Sequence, residues 1–118
     1  MDIKEKVKIA VKALDSKKAN DIKVIDVTEV SSLADYFIVA SGNSSTHVKS
    51  LADEAEYQLT SNGAVLDHIE GRSTSWILLD FDEVVINVFS AESRGFYDLE
   101  RLWADGAEVD ISEFIDEE

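Results

Sequence analysis

Tyr36-Phe37-Ile38-Val39-Ala40 is apolar at every position, so a strand built from it belongs at the centre of a sheet covered on both faces. The next residues constrain the fold further. Ser41-Gly42-Asn43-Ser44-Ser45 is a strand-to-helix turn with several candidate N-caps. Val48, Leu51, Ala52, Ala55 and Leu59 then share one helical stripe, and Asn62-Gly63 supplies a left-handed stop. A strand, a Gly-bearing turn and an amphipathic helix in succession are the working unit of an α/β fold.

The rest of the chain reads in the same terms. Ile3, Val7, Ala10, Val11 and Leu14 step by three and four, which predicts an amino-terminal helix. Ile22 to Thr28 is short and β-branched, a strand only half buried, and Val30 to Asp35 is a polar turn around Leu33. Leu66 to Glu70, Ser75 to Leu79 and Val84 to Phe89 read as three more strands, the last two joined by Asp80-Phe81-Asp82-Glu83 as a hairpin. Arg94 to Ala104 carries Phe96, Leu99, Leu102 and Trp103 at helical spacing. The order α-β-β-α-β-β-β-α predicts an α/β domain, a single mixed sheet of about five strands flanked by helices. That domain is expected to span residues 1–105, followed by an acidic tail over 106–118 that frays at its end.

Charge limits the partners. The 118 residues hold 25 Asp and Glu against 11 Lys and Arg, a net charge of −14, and 45% of the chain is apolar, enough for a core. Nucleic-acid binders depend on clustered cations, so extensive direct contact with nucleic acid is not expected, and a basic protein suits this surface better. The charge is uneven: residues 1–23 hold 7 basic and 4 acidic side chains, whereas 24–118 hold 4 and 21. With no cysteine, thiolate metal sites and disulfides are excluded. No apolar run approaches a membrane span, and the amphipathic start is unlike a signal peptide, so a cytoplasmic protein is expected.

Two features hint at an enzyme. Ser41-Gly42 ahead of a helix could seat a phosphate, and Asp80-x-Asp82 could hold Mg²⁺, a combination found in nucleotidyltransferases. The ordinary reading is stronger: a helix entry, and two solvated turn residues. No Lys or Arg lies between Arg72 and Arg94 to meet a triphosphate. His47 is expected to face solvent near a helix start. His68 reads as a cross-strand or packed residue, and nothing places the two histidines at metal-ligand spacing. No catalytic residue, cofactor or metal is therefore expected.

The aromatic residues carry more. Strand alternation sets Trp76 and Leu78 on one face and Ile77 and Leu79 on the other. If one face is incompletely covered, Trp76 and Leu78 join Tyr97, Arg101 and Trp103 in an interaction surface; the alternative is that a second helical layer covers them.

Five blocks in order then resemble the ribosomal silencing factor family, also called Iojap or RsfS: Ala34 to Gly42, His68-Ile69-Glu70-Gly71, Trp76 to Phe81, Val84 to Phe89, and Phe96 to Trp103. Arg72 to Ser75 departs from the family's usual polar turn. The resemblance implies a nucleotidyltransferase-like fold without the catalytic site. It also implies a translational repressor that binds the large ribosomal subunit through ribosomal protein fourteen and blocks joining of the small subunit. The partner surface is expected at Trp76, Leu78, Tyr97, Asp98, Arg101 and Trp103, acting by steric occlusion, and a homodimer is compatible with the family. The amino-terminal lysines Lys4, Lys6, Lys8 and Lys12 are expected to turn towards ribosomal RNA. The alternative reading is a nucleotide-binding or nucleotidyltransferase enzyme using Asp80 and Asp82.

Overall fold

Two amphipathic helices bury their stripes against the same face of one sheet. A computed structural model of the chain describes residues 2–29, 34–71, 76–91, 107–109 and 111. Helix α1 spans Ile3–Ser16, and its N-cap Asp2 accepts the Glu5 backbone N–H at 3.2 Å. Helix α2 spans Ser45–Ser61 and buries Val48, Leu51, Ala52, Ala55 and Leu59, the stripe read from sequence. The two helices pack together and over the sheet. No described helix is long and apolar enough to cross a membrane.

The strands are β1 (Asn20–Asp26), β2 (Tyr36–Gly42), β3 (His68–Glu70), β4 (Trp76–Phe81), β5 (Val84–Ser90) and β6 (Ala107–Val109). They form one mixed sheet in the order β3-β4-β5-β2-β1-β6, with β2 and β5 parallel at its centre and the other pairs antiparallel. Alternation divides the side chains. Val24, Ile38, Ala40, Ile77, Leu79, Phe81, Ile86 and Val88 meet the helices, while Ile25, Val27, Val39 and Phe89 form a second buried cluster with Phe37 and Trp76 packed against it. Strand β2 thus contributes to both clusters, as its unbroken apolar run requires.

Two boundaries differ from the sequence reading. Phe81 was expected in the hairpin loop; it pairs with Val84 and is fully buried, because a phenylalanine ring is far more stable in the core than in solvent. The turn therefore shrinks to Asp82-Glu83, with Asp82 at φ 67°. Strand β6 was not anticipated: three residues are too few to give a readable period, yet Ala107 to Val109 pair with Asp26 to Val24. The turn over 30–33 and the expected helix Arg94 to Ala104 lie outside the described residues.

Candidate functional site

The residues that looked enzymatic are accounted for by local structure. A Cβ added to Gly42 would lie 2.9 Å from the Val48 backbone nitrogen, 3.1 Å from Val48 Cγ2 and 3.2 Å from the His47 carbonyl carbon. Glycine is needed there so that the first turn of α2 can rest on the end of β2. Ser44 is the N-cap, its hydroxyl accepting the His47 N–H at 3.1 Å, and Ser41 is buried.

Asp80 and Asp82 do not converge on a shared ligand. Asp80 lies on β4 rather than in the hairpin loop, and its Oδ1 accepts the Asp82 backbone N–H at 2.8 Å. That bond closes the turn, and the Asp82 side chain is exposed within it. Across the strand pair, His68 faces Asp80, with Nδ1 at 3.5 Å from Asp80 Oδ2 and 3.3 Å from Asp67 Oδ2. Asp67, His68 and Asp80 form a group whose donor atoms lie close enough for a metal ion. Asp67 and His68 are exposed and Asp80 half-buried, and the hydrogen bond between the imidazole and Asp67, with the Asp80 carboxylate beside the same ring nitrogen, accounts for the geometry. His68 is thus the cross-strand residue expected.

His47 does not simply face solvent. Its Nδ1 accepts the Asn43 backbone N–H at 2.9 Å and its Nε2 lies 2.8 Å from the Lys17 carbonyl oxygen. An amide can only donate and a carbonyl can only accept, so the ring is the neutral Nε2–H tautomer. It straps the end of α1 to the start of α2, assisted by Asn20 Nδ2 donating to Asn43 Oδ1 at 2.7 Å. No spacing in the sequence reveals this, because the partner carbonyl lies 30 residues upstream. Beside the strap, an open groove of about 430 Å³ is bordered by Lys17, Lys49, Asp53 and Tyr57.

On the sheet face away from α1 and α2, Trp76 and Leu78 are both half-buried. The Trp76 ring stacks on Phe89 with centroids 5.0 Å apart and planes at 24°, and its Nε1 donates to Asn87 Oδ1 at 3.1 Å. Asn87 is a buried polar residue in an apolar strand, and the indole N–H is its partner. The tryptophan is therefore held in one orientation while part of it stays open. Leu78 lies opposite Glu70 on β3 and Asn87 on β5, so alternation sets Glu70, His68 and Asp80 on this same face. An apolar pair bordered by carboxylates results. Tyr97, Asp98, Arg101 and Trp103 lie outside the described residues.

A family model described as ribosomal silencing factor during starvation, RsfS, matches residues 1–118. The chain is similar to ribosomal silencing factor RsfS of Bacillus subtilis (strain 168), at 38% identity over 112 residues, covering 94% of this chain and 95% of that protein. A crystal structure of a protein from Chromobacterium violaceum superimposes with a TM-score of 0.85 and 36% identity over 88% of each chain. Similarity extends to the mouse protein named mitochondrial assembly of ribosomal large subunit protein 1, at 31% identity over 101 residues, 82% of this chain and 44% of that one.

Proposed function

The chain belongs to the ribosomal silencing factor family, and from that premise we propose how it silences translation: it docks on ribosomal protein fourteen of the large subunit and sterically prevents the small subunit from joining. The family supports a ribosome-associated silencing role. A large-subunit target agrees with the name of the mouse relative.

The observation that carries the docking surface is Trp76, stacked on Phe89 and tied to Asn87 yet half-open beside Leu78. An aromatic side chain already fixed in place loses little entropy on binding, which is what makes tryptophan a binding hot spot. The carboxylates of Glu70 and Asp80 on the same face suit a basic partner and bias the encounter towards it. Tyr97, Asp98, Arg101 and Trp103 complete the proposed surface. Repression then needs bulk rather than a reaction, and Asp80, committed to its own turn, supports a role without chemistry. A homodimer formed through the same face would compete with docking.

Leu78→Glu tests the surface most cleanly, since the leucine is half-open and its loss leaves the Trp76–Phe89 stack intact. It should abolish binding to isolated ribosomal protein fourteen and restore subunit joining in sucrose gradients, with the melting temperature nearly unchanged. Undiminished binding would remove this face from the reading. Isothermal titration with ATP, CTP and GTP in Mg²⁺ should give no heat; nucleotide binding lost on Asp80→Asn would favour the enzyme instead.

A further inference from the structure

We infer that Asn62 is a site of spontaneous covalent modification: it loses its side-chain amide to attack by the Gly63 backbone nitrogen, and the closed end of α2 holds that reaction back. Nothing in this depends on the docking of the Trp76 face. Of the four asparagines in the chain, Asn62 alone precedes a glycine. A side chain on the following residue would crowd the attacking nitrogen, and glycine has none. Deprotonated by base, that nitrogen attacks Asn62 Cγ and closes a five-membered succinimide; the Cγ–Nδ2 bond breaks and Nδ2 departs as ammonia. Water then opens the ring at either carbonyl, leaving an aspartate or an isoaspartyl link. Base and water are the only reagents required.

Asn62 and Gly63 are both exposed, so base and water reach them, and an ideal Cβ at Gly63 meets nothing within 4 Å. What restrains the pair is the way α2 closes. The Gly63 N–H donates to the Thr60 carbonyl at 3.1 Å and the Ala64 N–H to the Leu59 carbonyl at 3.0 Å, a Schellman motif with Gly63 left-handed at φ 99°. Helix α1 closes with the same two bonds, Lys18 N–H to Asp15 and Ala19 N–H to Leu14, and there Lys18 is left-handed at φ 61°. In α2 the first of these bonds holds the proton that must leave. Asn62 Nδ2 donates to the Gln58 carbonyl at 2.7 Å, which turns the amide back along the helix. Asn62 itself has φ −98° and ψ 10°, so the Gly63 nitrogen lies well away from its Cβ, and ring closure needs ψ to rotate. Thr60 to Gly63 are all exposed, so these restraints release without unburying Leu59 or Ala64.

The product weakens the restraint that delayed it. An aspartate at position 62 has no N–H for the Gln58 carbonyl. Its charge stands at the negative pole of α2, in a chain already at −14. An isoaspartyl link also routes the main chain through Cβ, out of register with the closing bonds. Because ammonia is lost, the change is one-way, and it accumulates with each opening of this helix end.

Peptide mapping by mass spectrometry in mildly alkaline buffer follows the exchange of amide for carboxyl at position 62. In urea above the unfolding transition the parent should convert, and Gly63→Ala should slow that conversion by about tenfold or more. The folded parent should convert about 10- to 100-fold more slowly than the unfolded chain. Below the transition its rate should change by less than about twofold per molar urea, since only the helix end opens. Asn62→Gln should stay unmodified at this position, because its longer side chain closes a six-membered ring far more slowly. Asn62→Asp should lower the melting temperature by about 2–4 °C. No conversion in the unfolded parent overturns the site, and equal rates in folded and unfolded chains overturn the restraint. A folded rate that climbs about tenfold per molar urea would place the reaction in globally unfolded molecules and overturn gating by α2. An unshifted melting temperature for Asn62→Asp would overturn the loosening of the helix end by its own product.

Discussion

Two residues that close two helices in the same way, Lys18 and Gly63, give the sharpest comparison at the level of single side chains. An ideal Cβ at Gly63 meets nothing within 4 Å, so Gly63→Ala changes only the backbone preference. It should destabilise the fold by about 1 kcal/mol, a drop of roughly 4 °C in melting temperature. Lys18→Gly removes the corresponding strain at φ 61° and should raise stability by up to about 1 kcal/mol, less what the freer unfolded chain takes back. Calorimetry of both variants checks the pair, and shifts of the same sign would contradict the account. Gly63 was legible beforehand, because Asn-Gly after an apolar stripe is a known stop. Lys18 was not, because lysines near a helix end read simply as dipole partners. The face that Trp76 shares with Leu78 was legible by alternation, whereas whether helices cover that face was left open and the tie to Asn87 needed the register of β4 against β5.

Elements are held in place here by ties between segments far apart in sequence, which explains what the sequence did and did not disclose. Helix α2 and the doubly buried strand β2 were readable because their patterns are local. The strap from His47 to Lys17, and the pair from Lys6 to Glu83 that ties α1 to the β4–β5 turn, span about 30 and 77 positions and leave no periodic trace. Gly42 joins the two classes: its place in the turn was plain, but its reason is the approach of α2. Gly42→Ala should cost about 1–3 kcal/mol, since backbone of α2 must move, and hydrogen exchange should quicken first in that helix's opening turn. The α1 tie gives a pH signature. The Lys6 ammonium holds the Glu83 carboxyl below its ordinary value of 4.5, and the Thr28 hydroxyl and N–H lower Asp26 in the same way. A depressed folded pKa adds stability that is present above the unfolded value and lost as pH falls through the folded one. Glu83→Gln should therefore cost about 1 kcal/mol near neutrality. The gap to the parent should close below about pH 4, when both carry an uncharged group. A gap constant across denaturant titrations from neutral to acid pH would show that the ion pair contributes nothing.

For the whole molecule, charge acts on folding and on binding with opposite signs. The net charge of −14 is spread over a chain whose radius of gyration is 12.9 Å, so many like charges lie within or near one another's screening length of about 8–10 Å. Folding brings these carboxylates together, and salt relieves the repulsion. Against this, salt weakens ion pairs such as Lys6–Glu83, worth about 1 kcal/mol at a partly exposed site. With 25 acids and 11 bases the repulsion among like charges governs, so the melting temperature should rise by a few degrees between about 10 and 500 mM NaCl. The proposed docking should respond the other way. A negative surface meeting a basic ribosomal protein gains its speed from long-range attraction, while the anchoring of Trp76 is short-ranged and indifferent to salt. Over the same range the association rate should fall by about tenfold or more and the dissociation rate should hardly change. Stopped-flow binding read alongside calorimetry in matched buffers measures both. If salt lowered the melting temperature, net repulsion would not govern this fold; if it quickened dissociation, docking would rest on charge pairs rather than on Trp76.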